Sequence, residues 1–143
     1  MPELTIREKA AAAVRCQSAV LESGLTVLCR TMPGYSTVHA MYATPFGSTV
    51  RDFVLDGRPV HLPAGTAHFL EHKMFESEEG DAFARFAKTG ASANAYTSFD
   101  KTCYLFSATD KVDENLDILL SMVNEPYFTE ATIQKEQGII GWR

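Results

Sequence analysis

Cysteine is scarce in this sequence: Cys16, Cys29 and Cys103 are three residues in 143, an odd number with no C-x-x-C pair. That excludes a disulfide framework and a cysteine-built zinc site, and it points to reduced thiols. Positive charge is also in short supply. Thirteen Lys and Arg stand against eighteen Asp and Glu, a formal net charge of −5, and the basic residues form no run or patch. A nucleic acid held through its phosphates is therefore not an expected partner. No apolar stretch reaches the roughly 18 residues that a membrane-crossing helix needs, so no membrane span is expected. The opening residues, MPELTIREKAAAAVRC, contain acids and lack the apolar core of a signal peptide. The cytoplasm is the expected compartment.

What is present is ordinary globular material. The chain is 45% hydrophobic, with nine Phe, five Tyr and one Trp, enough for a sizeable core in about one domain. Residues 20–32, VLESGLTVLCRTM, read as a hairpin turning at Ser23-Gly24, and Thr37 to Phe46 as a second strand ending at Gly47-Ser48. Residues 49–63, with Asp56-Gly57, Pro59 and Pro63, read as an irregular loop or short hairpin. From Gly65 to Phe75 the period changes to that of a helix. His68, Glu71, His72 and Phe75 share one face and Ala67, Leu70 and Met74 the other, the pattern of a buried helix.

A second helix is expected from Asp81 to about Lys88, capped by Asp81 and stopped by Gly90, with Ala82, Phe83, Phe86 and Ala87 as its apolar face. Strands at Ser92 to Ser98 and Thr102 to Thr109 follow. Val112, Leu116, Leu119, Leu120 and Val123 then mark a third helix, stopped by Pro126, and a last helix starts near Thr129 and still runs at Arg143. No internal repeat, low-complexity tract or interdomain linker is visible. The order predicts an α+β fold, an antiparallel β-sheet packed against helices.

The chemistry sits in His68-Phe69-Leu70-Glu71-His72. Residues four apart on a helix are neighbours, with Cβ atoms roughly 5–6 Å apart, so two imidazoles can close on one zinc ion. Glu71 lies on the same face, placed to take a proton from a metal-bound water and pass it to a leaving amine. The bland alternative is a solvated helix face carrying two His and a Glu. The apolar neighbours Ala67, Phe69, Leu70, Met74 and Phe75 argue instead for burial, where polar groups need partners. The motif is H-x-x-E-H, the inverted form of the H-E-x-x-H zinc-protease helix.

Beyond these five residues the chain resembles the pitrilysin/insulinase family of zinc metallopeptidases, which includes the mitochondrial processing peptidases. PAGTAHFLEHKMF (Pro63 to Phe75) is similar to that family's zinc helix, and PFGS (Pro45 to Ser48) to the end of the strand beside it. GASANAYTSFDKTCYLFSAT (Gly90 to Thr109) resembles its strand pair, and PYFTEATIQKEQGII (Pro126 to Ile140) its following helix. The wording EHKMFE, GASANAYTSF and YLFS is closest to a bacterial, processing-peptidase-like branch.

The resemblance implies that His68 and His72 ligate zinc, that Glu71 is the base, and that Asn94 and Ala95 lie on an edge strand that pairs with an extended peptide. Peptides or unfolded polypeptides are the implied substrates, and a homologous domain or subunit the implied partner. Residues 1–19 would be an N-terminal extension and 20–143 the N-terminal portion of an incomplete metallopeptidase domain.

One position departs from the pattern. The family's third ligand is a glutamate seven residues after a supporting glutamate. Glu136 fits the supporting position, but seven residues on stands Arg143, which cannot ligate zinc and whose fixed charge repels it. Neither His39, read on a strand, nor His61, read in a loop, is a good substitute, and Glu130 is too early on the helix. Two readings follow: a zinc metallopeptidase module with doubtful activity on its own, or a non-catalytic homologue that scaffolds an active subunit.

Overall fold

The structure, a computed structural model, describes residues 7–11 and 14–134. The chain divides into two units, Met1–Tyr35 and Ser36–Arg143. In the first, β1 (Arg7–Ala11), β2 (Val14–Val20) and β3 (Thr26–Cys29) form an antiparallel sheet in the order β1-β2-β3. The expected hairpin is its β2-β3 half, with Val20 opposite Thr26. It turns at Gly24, whose φ of +86° suits a residue without Cβ. Its first strand begins earlier than the motif at residues 20–32 indicated.

The second unit holds β4 (Val38–Thr44), β5 (Asp52–Leu55), β6 (Arg58–His61), α1 (Thr66–Lys73), β7 (Glu76–Ser77), β8 (Gly80–Asp81), α2 (Ala82–Thr89), β9 (Ser92–Thr97), β10 (Thr102–Ala108) and α3 (Val112–Asn124). Its main sheet is antiparallel in the order β4-β10-β9, which bears out the α+β expectation. Central β10 buries Thr102, Tyr104, Phe106 and Ala108 on one face and Cys103 on the other. Helices lie against Tyr104 and Phe106. Phe75, Phe86, Ile118, Leu119 and Met122 complete the core there. No helix among the described residues is long and apolar enough to cross a membrane.

Local rules placed most boundaries. Asp81 caps α2 by accepting from Phe83 N–H at 2.8 Å, and Gly90, at φ +78°, ends it. Residues 49–63 resolve into the short hairpin β5-β6, turning on Asp56-Gly57 with both φ values positive.

The faces were harder to read. α2 buries Ala82 and Phe86, whereas Phe83 stays 43% exposed and Ala87 is exposed, a narrower face than four apolar letters implied. α3 is turned by about one residue from expectation: it buries Asn115, Ile118, Leu119 and Met122 and leaves Leu116 39% exposed. Asn115 can enter the core because its amide is bonded at both ends, donating to Lys111 O at 2.8 Å and accepting from Thr89 Oγ1 at 2.5 Å. The last helix begins as expected, with Ile133 N–H on Thr129 O at 3.0 Å, and its continuation to Arg143 lies outside the described residues.

The loop after β4 straps the β9-β10 turn. Ser48 N–H donates to Ser98 O at 2.9 Å and Thr49 N–H to Phe99 O at 3.0 Å. Gly47 makes this approach possible: a Cβ there would lie 2.5 Å from both Lys101 N and Phe99 O. Those atoms are main chain and cannot swing aside. Gly47→Ala should therefore destabilise the fold by about 1–3 kcal/mol, read as a lower midpoint in urea. An unchanged midpoint would show that the strap does not bear on the turn.

Candidate metal centre

Helix α1 starts after Gly65 in the left-handed region, φ +88°, with Thr66 Oγ1 donating to Pro63 O at 2.8 Å. It is not buried on both sides as its composition implied. Ala67 and Lys73 are fully buried and Phe69, Leu70 and Met74 partly so, while His68 and His72 are exposed. The helix makes two turns and lies on the sheet by one side, so its histidine side is left for solvent.

The two imidazoles converge as their spacing required. His68 Nε2 and His72 Nε2 are 3.1 Å apart, with ring centroids 4.7 Å apart and planes at 82°. Two nitrogens bound to one tetrahedral zinc at ~2.0–2.1 Å would stand about 3.3 Å from each other. The pair therefore fits a single ion with little movement. Among the described residues no group of three His, Cys, Asp or Glu is arranged to hold a metal. Glu136 and Arg143 lie outside those residues. His39 and His61 are not drawn in. His39, on β4, has its Nδ1 2.6 Å from Ser107 Oγ. His61 proves to be on β6 rather than in a loop, with Nδ1 2.6 Å from Asp52 Oδ1.

Glu71 turns from the same helix toward the sheet, where its Oε2 accepts from Thr97 Oγ1 at 2.6 Å. Tyr104 lies below. Burial, reinforced by the negative charge of Glu71, pushes its phenol far above the usual range, so the ring stays neutral at working pH. A cleft of about 260 Å³ opens here, walled by Glu71, His72, Phe75, Phe83, Asn94 and Ala95. Glu71 and His72 of the helix and Asn94 and Ala95 of the strand thus share one cavity, whose lining does not include His68. Phe75 and Phe83 stack at 4.0 Å along one wall, which explains why α2 leaves Phe83 out of the core. Glu76 and Asp81 also line the cleft.

Strand β9 is the end strand of its sheet among the described residues. Ser98 N–H donates to Lys101 O at 2.8 Å, which sets the phase of the ladder. Asn94 and Tyr96 then turn their main-chain groups to β10, and Ala93 and Ala95 turn theirs to the open side. Ala95 N–H is held meanwhile by Asn94 Oδ1 at 2.9 Å.

Two features escaped the sequence reading. Thr97 lies within the quoted run Gly90 to Thr109, yet nothing local marks it as a partner for Glu71. Lys73, beside His72, is completely buried and paired with Glu76. The i, i+3 spacing of Lys73 and Glu76 is a signal that could have found that pair.

Comparison with known proteins gives this geometry its relatives. The family model described as Insulinase (Peptidase family M16) matches residues 62–141. The zinc protease YmfH of Bacillus subtilis is 50% identical over 123 residues, covering 85% of this chain and 29% of that protein. Human mitochondrial-processing peptidase subunit beta is 36% identical over 81 residues, 53% of this chain and 17% of the relative. The chain thus spans under a third of the length of these relatives. An M16-like peptidase from Alicyclobacillus acidocaldarius superposes with a TM-score of 0.85 at 43% identity, over 92% of this chain and 31% of that structure. Pitrilysin, at 22% identity and a TM-score of 0.67 over 95% of this chain and 14% of its own, shares the fold. The match of the family model to more than half of the sequence, His68 and His72 included, makes this chain a member of the insulinase family, peptidase family M16.

Proposed function

We propose that this chain is the N-terminal portion, over residues 20–143, of a zinc-dependent endopeptidase, with His68 and His72 as two of its zinc ligands and Glu71 as its general base. The reading rests above all on the 3.1 Å separation of the two Nε2 atoms beside a carboxylate on the same helix. Relatives named as zinc proteases support it. His68 and His72 would hold the zinc, which would supply Lewis acidity toward a water and the scissile carbonyl. Glu71 accepts the proton of the attacking water and returns it to the leaving amine. An extended peptide or unfolded polypeptide adds to β9 at Asn94 and Ala95 and takes over the main-chain positions on that edge. The cytoplasm is the proposed compartment.

At the position where the resemblance calls for a third ligand this chain has Arg143, and Glu136 takes the supporting position seven residues before it. A second reading, a scaffold for an active homologous subunit, draws on Arg143, which stands where the resemblance calls for a glutamate. The intact H-x-x-E-H set weighs against it, because a scaffold has no use for a base beside paired imidazoles.

Two experiments test the assignment. In a zinc titration of the full chain, binding should be weak for want of a third anionic ligand. His68→Ala and His72→Ala should each lower the affinity by at least about tenfold, and Arg143→Glu should raise it. Unchanged affinity in both histidine variants would remove the metal site. In the Arg143→Glu background, Glu71→Gln should keep zinc while peptide cleavage falls by about 100-fold or more, since an amide cannot take the proton. Cleavage at the parent rate would show that Glu71 is not the base.

A further inference from the structure

Alternation along β9 puts Ala93, Ala95 and Thr97 on one face and Asn94 and Tyr96 on the other. The first set is half-buried toward the helices, and the second is exposed. Ala95 is small enough to leave the cleft open, and Thr97 ends that face with a hydroxyl. Its Oγ1 lies 2.6 Å from Glu71 Oε2. An ionised carboxylate can only accept, so the proton in this contact belongs to Thr97.

Thr102 Oγ1 lies 3.4 Å away and, with its own proton on Phe46 O at 2.8 Å, can only accept from Thr97. The carboxylate, at 2.6 Å and charged, is the nearer and stronger acceptor. Thr97 and Thr102 face each other across the ladder, and Thr102 is only 2% exposed. The turn beyond them is strapped by Ser48 on Ser98 O at 2.9 Å. A β-branched side chain on so constrained a backbone has few rotamers, so the position of its hydroxyl is set by the sheet. A glutamate on a half-covered helix has three rotatable bonds and no such limit of its own.

We propose that Thr97 is a positioning residue for the peptidase reaction: its hydroxyl fastens the Glu71 carboxylate by Oε2 and leaves the other oxygen to take the proton of water. This deepens the assignment of Glu71 as base and rests on it. The sheet, through Thr97, thereby sets the orientation of a group carried by the helix.

The test compares Thr97→Val, which keeps shape and loses the hydroxyl, with Thr97→Ser, which keeps the hydroxyl. Thr97→Ala takes the place of the valine variant if that one does not fold. In the metal-free full chain, three-bond couplings of the Glu71 side chain should show one rotamer in the parent and in Thr97→Ser, and averaging in Thr97→Val. A single Glu71 rotamer in Thr97→Val would overturn the proposal without any turnover being measured. With zinc bound and a peptide substrate, in the Arg143→Glu background, Thr97→Val should lower kcat about 10- to 100-fold at unchanged KM, and Thr97→Ser should restore most of it. A parent kcat in Thr97→Val would overturn the proposal equally. Glu71→Gln tests the base assignment by itself, and because the rotamer measurement uses neither metal nor substrate, the two ideas fail separately.

Discussion

An α-helix repeats every 3.6 residues, and on α1 that constraint stacks His72 over His68 and leaves Glu71 a step to the side. The helix brings the two Cβ atoms together, and the rotamers of the two rings then set the 3.1 Å between their Nε2 atoms. Everything else at the site concerns which way this helix faces. Ala67, Leu70 and Met74 sit over Tyr42 and Tyr104 of the sheet, so the histidines point to solvent and Glu71 falls at the boundary. At that boundary a carboxylate can reach both a strand hydroxyl and the open cleft.

Polar groups buried near the site follow one rule, that each has a partner. Lys73 is completely enclosed but paired with Glu76, which joins the end of α1 to the start of β7. Breaking such a pair by removing one member leaves a buried charge, a cost of about 3–5 kcal/mol, so the pair keeps the helix end in place more than it adds net stability. Asn115 does the same for α3, tied to Lys111 O and to Thr89 of α2. Phe83 is the converse case. It is apolar and exposed, yet it is stacked on Phe75 as a wall of the cleft.

Elements with local signals were legible from residue order. Asp81 and Gly90 bracket α2 and Asp56-Gly57 turns β5 into β6, each from a neighbour or two along the chain. Burial was less legible. The apolar letters of α3 gave Leu116 to the core and passed over Asn115, because a hydrophobic pattern cannot see that a distant Thr89 will satisfy an amide. The two apolar flanks of α1 likewise implied a helix enclosed all round, where the sheet covers one side of it.

The sequence by itself determined the paired imidazoles and the glutamate beside them, since helical periodicity is a local property of the backbone. It also determined the family, through motifs in a set order from Pro45 to Ile140. The tertiary structure alone decided that Asn94 and Ala95 border the same cleft as His72, and that Thr97 holds Glu71. Those residues stand more than twenty positions apart in the chain. Their meeting depends on the register of β9 against β10 and on how α1 lies across that ladder, and neither is encoded by any run of neighbouring residues.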